Sequence, residues 1–513
     1  MNGADCLAQT LIAGGVKTCF TNPGTSEMHF VSALDRTNEM RCVLCLFEGV
    51  ATGAADGFAR MTGTPAATLL HLGPGLANGL ANLHNASRAQ SPIVNIVGDH
   101  AIVHRKHDAP LASDIESAAR TVSCWVRTSQ SAAAIAKDTA DAIVAARTPP
   151  GGVATLMLPA DVAWSDGTGP IKVPAPPARA AVSQEAIREA ATLLRKGEAP
   201  LLVLYGPALR ARGLAAAGRI AKATGAGLIG EMSNARLERG AGRVDIDRVP
   251  YVVEQALEKL KPYRTIILCG AKAPVAFFAY PDKPGELWPP AAKIHTLATR
   301  DQDIVQALEA LADELGAKEA APVAAPSRPS PPTGAITFES IGAAIGALLP
   351  ENAIVVDESI TSGRGLFAFT RGAPPHDWLQ NRGGSIGYGP PVAVGAAVAC
   401  PDRKVIALEG DGSAMYTVQA LWTQAREGLD VVTVVFANRS YRILLGEMSN
   451  MRLGNPGPKA LDMLELRRPE LDWVKLAGGM GVPASRVTTI DEFVRDFGRA
   501  LRADGPYLIE MVF

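Results

Sequence analysis

Short apolar runs alternate with longer segments of helical periodicity along most of the chain. The apolar runs are VKTCF, RCVLCLF, ATLLHL and PIVNIVGD in the first third, PLLVLYG, AGLIGE, TIILCG and AKIHTLA in the middle, and AIVVDE, KVIALEG, VVTVVFAN and PYLIEMVF in the last. This alternation is typical of α/β proteins in which helices cover parallel sheets. Functional residues are therefore expected in the loops just after the strands, where parallel sheets collect their ligands.

Two Pro-rich segments divide the 513 residues into three blocks, which suits the usual size of a domain. Residues 316–335, GAKEAAPVAAPSRPSPPTGA, have the composition of a linker. A weaker break lies in SDGTGPIKVPAPPARAAV. We predict an N-terminal domain over 1–165, a central domain over 183–315 and a C-terminal domain over 336–513, each with its own parallel sheet.

Composition and charge narrow the class of protein. Apolar residues make up 47% of the chain and charged residues 20%, which is ordinary for a globular protein. The formal net charge of −1 argues against nucleic acid or an anionic membrane as the main partner. No apolar run reaches the roughly 20 residues of a membrane helix, and MNGADCLAQTL lacks a signal-peptide core, so we expect a cytoplasmic protein.

The seven cysteines show no disulfide-like spacing. Cys42 and Cys45 form a CxxC pair, but within the strand-like RCVLCLF their side chains should point to opposite faces. We therefore expect buried, reduced thiols there rather than a metal or redox site.

An acid stands between two glycines directly after a strand, in VIALEGDGSAM at 405–415. The next strand, DVVTVVFAN, ends at Asn438, so Asp411 and Asn438 should meet at one sheet edge. Such oxygen ligands suit Mg²⁺ or Ca²⁺, and the N–H groups of Gly412 and Ser413 at a helix start favour a phosphate. Taken alone, Asp411 would be a helix N-cap. The run between them predicts one helix of about four turns with a single apolar face, made by Ala414, Val418, Leu421, Trp422 and Ala425.

Gly410-Asp411-Gly412, then 25 residues, then Asn438, resembles the motif of thiamine-diphosphate-dependent enzymes. The segments QNRGGSIGYGPPVAVGAAVA, VIALEGDGSAMYTVQALW and ANRSY are similar to benzoylformate decarboxylase and, more loosely, to the acetolactate synthase large subunit. This resemblance implies a pyrimidine-binding N-terminal domain, a central domain and a diphosphate-binding C-terminal domain. It also implies that Mg²⁺ is held by Asp411, Asn438 and the carbonyl of Ser440, and that the cofactor contacts Gly410, Gly412, Ser413, Thr361, Gly384 and Ile386.

A carboxyl group is required at the pyrimidine ring of that cofactor, in surroundings that let it hold a proton. Glu48 follows a mostly apolar strand and matches the family glutamate in the pattern E-x-x-A/G-x-x-x-A-D-G. The alternative for Glu48 is an ordinary acid in the first turn of a helix. By resemblance, Glu48 is both a catalytic and a cofactor-binding residue.

Three further residues are candidates for contact with substrate. His71, in ATLLHLGPG, aligns with an active-site histidine of benzoylformate decarboxylase, although a lone histidine at a strand end is commonly a core residue. Thr25, in NPGTSE, stands where related decarboxylases carry a serine; a plain turn is the alternative. His107 belongs to GDHAIVHRKHDAP, which reads first as a solvated loop without typical metal-ligand spacing. The functional interpretation is that His107 or His104 donates protons near neutral pH.

The resemblance predicts catalysis on a 2-oxo acid, with the enamine left by decarboxylation transferred to a second carbonyl compound, as in acetolactate synthase. The segment APVAFFAYPDKPGE offers Phe278 or Ala279 where benzoylformate decarboxylase has its second histidine, and RSYRILLGEM lacks the Met- and Trp-containing synthase pattern. A decarboxylase that releases an aldehyde therefore stays open, as does a lyase acting on acyl-CoA. FAD cannot be assigned.

Two alternatives come from other classes of function. A cofactor-binding regulatory homologue without turnover would not need Glu48, and a plain nucleotide-binding protein would need a G-x-G-x-x-G after its first strand, which is missing. Members of the family that this chain resembles build each active site between two subunits. We therefore expect a homodimer at minimum, and a homotetramer as the assembly.

Overall fold

The computed structural model describes residues 1–196 and 198–513. Its strands are β1 (Thr18–Thr21), β2 (Arg41–Leu44), β3 (Ala66–Leu70), β4 (Ile93–Asp99), β5 (Trp125–Thr128), β6 (Val153–Pro159), β7 (Pro200–Leu204), β8 (Gly227–Gly230), β9 (Leu237–Arg239), β10 (Asp247–Arg248), β11 (Thr265–Cys269), β12 (Lys293–Ala298), β13 (Ile354–Glu358), β14 (His376–Gln380), β15 (Val405–Gly410), β16 (Val431–Ala437), β17 (Ala484–Val487) and β18 (Tyr507–Val512).

The helices of the first block are α1 (Gly3–Ala13), α2 (Met28–Asp35), α3 (Glu48–Thr62), α4 (Leu72–Ala89), α5 (Ile115–Arg120), α6 (Ile135–Arg147) and α7 (Ala160–Trp164). Those of the middle are α8 (Gln184–Arg195), α9 (Ala211–Thr224), α10 (Val253–Leu260) and α11 (Ile304–Glu314). The last block has α12 (Phe338–Leu348), α13 (Leu366–Phe369), α14 (Gly389–Ala399), α15 (Asp411–Ala414), α16 (Ala420–Arg426), α17 (Arg442–Asn450), α18 (Pro458–Leu464), α19 (Trp473–Gly479) and α20 (Ile490–Ala500).

The strands form three sheets, in the orders β2-β1-β3-β4-β6-β5, β10-β8-β7-β11-β12 and β17-β18-β16-β15-β13-β14-β9. All neighbouring strands in the described ranges pair in parallel except β9 and β14. Helices cover the sheets, so the predicted α/β class is confirmed. The boundaries drawn at the two Pro-rich segments stay predictions. No described helix combines the length and the apolar character required to cross a lipid bilayer.

The strand β9 was not expected from the sequence. It belongs to the middle of the chain but pairs antiparallel with β14 at the edge of the third sheet, with Leu237 opposite Trp378 and Arg239 opposite His376. The central segment is thereby joined to the C-terminal sheet by backbone hydrogen bonds.

Helices α3 and α14 hold the first and third sheets together through glycine contacts. A Cβ on Gly57 would lie 2.2 Å from the carbonyl oxygen of Val392, and one on Gly395 would lie 1.8 Å from that of Ala54. Only glycine lets the two backbones approach this closely. The contact fixes α3, whose first residue is Glu48, against the C-terminal part of the chain.

The prediction of one continuous helix after Asp411 is wrong. The segment divides into α15, a 3₁₀ turn over Met415–Thr417, and α16. The turn brings the Thr417 hydroxyl to the carbonyl oxygen of Gly387, to which it donates at 3.0 Å. Ala414, Val418 and Leu421 are nevertheless buried.

The expectation of buried thiols is correct for Cys45 and wrong for Cys42. Cys45 is buried, and burial raises the pKa of its thiol to about 12. Cys42 is exposed because its position on edge strand β2 faces away from the core.

Candidate active site

The carboxylate of Asp411 lies beside the turn that follows β16. Its Oδ2 accepts from the backbone N–H of Arg439 at 2.6 Å, and its Oδ1 accepts from Gly412 N–H at 2.9 Å. The adjacent Asn438 turns its Oδ1 back to the N–H of Ser440 at 3.0 Å. The structure therefore brings the three predicted metal ligands together at one sheet edge.

The electrostatics of Asp411 suit a cation. The residue is 3% exposed, and burial raises the pKa of its carboxyl to about 6 against the opposing effect of its backbone hydrogen bonds. A carboxylate, an amide oxygen and a main-chain carbonyl are the donors that Mg²⁺ prefers. These residues consequently fit a divalent ion.

The residues predicted at the cofactor diphosphate lie around the same edge. Gly412 and Ser413 are in the first turn of α15, and Ser413 donates from its hydroxyl to the carbonyl of Gly410 at 3.2 Å. Thr361 is buried in the loop after β13. The preceding Ile360 has a φ of +51°, a conformation that a β-branched side chain rarely adopts and that commonly marks a functional site.

Helix α4 holds the loop that carries Gly384 and Ile386. The side chain of Asn82 donates to the carbonyl of Gly387 at 3.2 Å, and Asn85 exchanges two hydrogen bonds with the backbone of Ser385. These asparagines are 2% and 0% exposed, so the contacts are shielded from water. The first block of the chain thus positions a loop of the last block.

Glu48 begins α3 with its side chain largely buried, as expected for the predicted relay acid. Its Oε2 accepts from the side-chain amide of Asn78 at 3.0 Å. A Cβ on Gly75 would lie 3.2 Å from Glu48 Oε1 and 3.3 Å from His71 Cβ. Gly75 therefore separates two of the predicted site residues, and neither of them hydrogen-bonds to Asp411 within the described part of this chain.

His71 is held by a carboxylate that sequence reasoning missed. Its Nδ1 lies 2.9 Å from Oε2 of Glu27, whose side chain is fully buried. Glu27 also accepts from Gly24 N–H at 2.8 Å and from the Ser26 hydroxyl at 2.5 Å. With Nδ1–H donated to Glu27, Nε2 is left free for a ligand. His71 thereby gains a fixed orientation.

The sequence feature that accompanies the buried Glu27 is a glycine far from it along the chain, Gly98. A Cβ on Gly98, at the end of β4, would lie 1.6 Å from Glu27 Oε1, so this glycine makes room for the carboxylate. That relationship joins two loops and is invisible without their packing.

Thr25 and His107 occupy exposed positions on the same block. Thr25 begins a 3₁₀ turn, and His107 ends another over Ile102–His107. The ring of His104 lies 5.2 Å from that of His107 and 5.8 Å from that of His100. In the described ranges, no group of three or more His, Cys, Asp or Glu side chains is placed to hold a metal ion.

A cavity of about 620 Å³ opens between the middle and last parts of the chain. Gly384, Ile386 and Ile360 contribute to its wall from the C-terminal part, and Phe277 and Phe278 contribute from the segment after β11. The region predicted to lack a second histidine therefore presents two aromatic rings to the cavity.

Two buried acids face each other at this cavity, and Glu358 belongs to its lining. Glu358 and Glu409 are opposite each other on β13 and β15. Burial raises the pKa of Glu358 to about 7 and raises that of Glu409 well above its usual range. Glu358 accepts from Gly389 N–H at 2.8 Å, whereas both oxygens of Glu409 have no hydrogen-bond partner among the described residues.

Two family models match this chain. The thiamine pyrophosphate enzyme N-terminal TPP binding domain matches residues 1–118, and the corresponding C-terminal TPP binding domain matches residues 363–511.

Similar proteins span almost the full length of the chain. A Mycobacterium tuberculosis relative with the provisional name acetolactate synthase large subunit IlvX is 54% identical, over 100% of this chain and 99% of its own. Benzoylformate decarboxylase of Pseudomonas aeruginosa is 29% identical over 97% and 96%. The solved structure of Rhodococcus jostii RHA1 thiamine diphosphate-dependent 4-hydroxybenzoylformate decarboxylase matches with a TM-score of 0.87, 26% identity, and coverage of 99% and 98%.

Proposed function

Because this chain belongs to the thiamine pyrophosphate enzyme family, we propose that it uses thiamine diphosphate and Mg²⁺ to decarboxylate a 2-oxo acid and to transfer the remaining unit to a second carbonyl compound. When bound, the cofactor supplies a thiazolium ring that stabilises negative charge at the carbon from which CO₂ leaves. The observation that carries the carboligase assignment is the aromatic wall of Phe277 and Phe278 in the cavity beside Gly384 and Ile386.

The metal and diphosphate contacts are proposed for the edge of the third sheet. Asp411, Asn438 and the carbonyl of Ser440 would hold Mg²⁺, which the raised pKa and burial of Asp411 support. Gly410, Gly412, Ser413 and Thr361 would contact the diphosphate, while Ile386 and the carbonyl of Gly384 would contact the rings.

Glu48 is proposed as the acid that exchanges a proton with the pyrimidine ring. Its burial and its hydrogen bond from Asn78 support this role, because a solvated surface acid would have neither. A regulatory protein that only bound the cofactor would not need such a group, so turnover is the better interpretation.

His71 favours a second candidate, a decarboxylase that releases an aldehyde. With Nδ1–H donated to Glu27, Nε2 can take up a proton from solvent and pass it to an intermediate. Thr25 would contact the substrate carboxylate, and His107 would donate a proton. The aromatic residues at the position of a second histidine argue for transfer over protonation, since neither ring can supply a proton.

We propose a homodimer at minimum, assembled into a homotetramer, with Glu48 and His71 facing the cofactor site of a second subunit. Among the described residues of one chain, neither Glu48 nor His71 hydrogen-bonds to Asp411, which agrees with a site completed by another copy.

Product analysis tests the function. A panel of 2-oxo acids is incubated with protein, thiamine diphosphate and Mg²⁺, and both CO₂ and organic products are measured. Acetolactate-type or acetoin-type products support the carboligase, whereas free aldehyde alone supports the decarboxylase. Glu48→Gln should retain cofactor binding and lose CO₂ release, with the exposed Glu39→Gln as control. Cofactor binding without CO₂ from any 2-oxo acid would reject the enzyme in favour of a regulatory homologue.

A further inference from the structure

Residues 274–287, here called the flap, fold back on themselves between β11 and β12. Val275 and Glu286 form an antiparallel bridge, and Ala276 N–H donates to the carbonyl of Gly285 at 2.8 Å. Leu287, at the base, is 1% exposed and anchors the flap in the core. The flap is therefore a built element of the structure.

The first arm of the flap carries two aromatic rings in an unusual setting. Phe277 and Phe278 are 46% and 49% exposed, although they contact each other edge-to-face with ring centroids 4.8 Å apart. Both line the cavity, and Phe277 Cζ is 2.9 Å from where a Cβ of Gly384 would lie. Adjacent large rings left half in water lose the free energy that burial would give, so they are suited to contact an apolar ligand.

Polar contacts hold the flap from the opposite side of the cavity. Asp282 pairs with Arg452, and Lys283 Nζ donates to Asn450 Oδ1 at 3.2 Å. Tyr251, whose ring lies 5.6 Å from that of Phe277, donates its hydroxyl to Glu447 Oε1 at 3.0 Å. These contacts join the flap, and the Tyr251 ring that packs against it, to the end of α17 and to the turn that follows. The position of the rings is thus set without burial of the rings themselves.

Resting on the proposed function, we infer that Phe277 and Phe278 bind the apolar group of the carbonyl compound that accepts the transferred unit, and that they exclude water from the bond that forms. In the transfer, the carbon that lost CO₂ bonds to the carbonyl carbon of the acceptor, and the acceptor oxygen takes up one proton. In the competing reaction that carbon takes up a proton instead, and an aldehyde leaves. Excluding water from the cavity favours the first outcome.

The flap assigns a class of acceptor. A flat aromatic aldehyde offers a face and an edge to the paired rings, and such contacts are favourable beyond the burial of apolar area alone. Acetaldehyde has little surface to offer. We therefore expect benzaldehyde to be preferred over acetaldehyde by roughly tenfold or more in affinity.

The first measurement is equilibrium binding, by calorimetry or ligand-observed NMR, of benzaldehyde and acetaldehyde to protein without cofactor. The parent should prefer benzaldehyde, and Phe278→Ala and Phe277→Ala should lose about tenfold of that preference. Phe278→Leu should retain most of the affinity because it keeps an apolar side chain. Phe513→Ala is the matched control, since Phe513 is 37% exposed and forms an edge-to-face pair with Phe338 outside the cavity.

The second measurement is the ratio of ligation product to free aldehyde in the loaded enzyme. Phe278→Ala should lower this ratio about tenfold, whereas the control Phe513→Ala should keep the ratio of the parent. Failure of the parent to release CO₂ would reject the proposed function. The binding measurement would still show whether Phe277 and Phe278 bind an aromatic aldehyde. Equal binding of the two aldehydes by the parent, or unchanged binding in both alanine variants, would overturn the inference.

Discussion

Asn85 and Ser385 exchange two hydrogen bonds across the junction of the first and last parts of the chain. The side-chain amide of Asn85 donates to the carbonyl of Ser385 at 2.8 Å, and its Oδ1 accepts from Ser385 N–H at 3.1 Å. One side chain thus satisfies both polar groups of a backbone unit that lies between Gly384 and Ile386.

Replacing Asn85 by alanine should loosen this loop. The N–H of Ser385 would lose its partner, at a cost of about 1–3 kcal/mol if it stays buried. The carbonyl of Ser385 would keep the hydrogen bond that it accepts from the side-chain amide of Asn381 at 2.6 Å. We expect the affinity for thiamine diphosphate to fall about tenfold, because the loop residues lose their fixed position. Urea unfolding and cofactor titration measure the two effects. The exposed Asn38→Ala is the control, and an unchanged cofactor affinity in Asn85→Ala would contradict the positioning role.

Substitution of Asp411 should separate metal binding from folding. Asp411→Asn keeps the shape but removes the charge that attracts a divalent ion, so the affinity for Mg²⁺ should fall at least about tenfold. Thermal unfolding of the parent should shift upward with thiamine diphosphate plus Mg²⁺, and chelation with EDTA should reverse the shift. In Asp411→Asn the upward shift should disappear, whereas Asp504→Asn should behave like the parent. A full shift in Asp411→Asn would remove the metal assignment.

Glu27 should matter for the reaction more than for stability. In Glu27→Gln, an amide replaces the carboxylate that accepts from His71, Gly24 and Ser26. The amide keeps an oxygen acceptor but removes the negative charge beside the His71 ring, and we expect kcat/KM to fall roughly 10- to 100-fold with a changed pH profile. Steady-state kinetics across pH measure this. A kcat/KM within twofold of the parent would show that Glu27 only supports the local fold.

His376 should make the protein sensitive to acid. Burial lowers the pKa of its imidazole to about 4, and the nearby Arg239 adds repulsion. The unfolded chain binds a proton near pH 6.5, so this contribution to stability is complete above that pH and is lost as the pH falls toward 4. The loss should be up to about 3 kcal/mol.

The variant His376→Asn should flatten the dependence of the unfolding free energy on pH between 6.5 and 4, because it cannot take up the proton. Chemical denaturation at several pH values measures the slope, and the exposed His29→Asn should keep the slope of the parent. Identical slopes in parent and His376→Asn would assign the acid sensitivity to other groups.

The elements of the sheets were predictable because their signals are local. Apolar runs such as VVTVVFAN and the turn chemistry of Gly-Asp-Gly are complete within a few residues. The meeting of Asp411 and Asn438 followed from strand order alone, since parallel strands end at a common edge.

Other features depend on contacts between distant segments. The burial of Glu27 requires the space left by Gly98, and the 3₁₀ turn before α16 places the Thr417 hydroxyl against the distant carbonyl of Gly387. In the sequence, Phe277 and Phe278 stand only for a missing histidine, and the contact of Phe277 with Gly384 is what gives them a role. The roles of Glu48, His71, Thr25 and His107 stay predictions until they are tested by substitution.

The pairing of β9 with β14 has a consequence for anyone who expresses parts of this protein. A fragment that begins after the Pro-rich segment would present the outer strand of its largest sheet with unpaired amide and carbonyl groups. Exposed edge strands of this kind pair with other chains and promote aggregation. Leu237–Arg239 therefore covers the edge of the third sheet. We expect the C-terminal part to stay free of aggregates only when it is produced together with this strand.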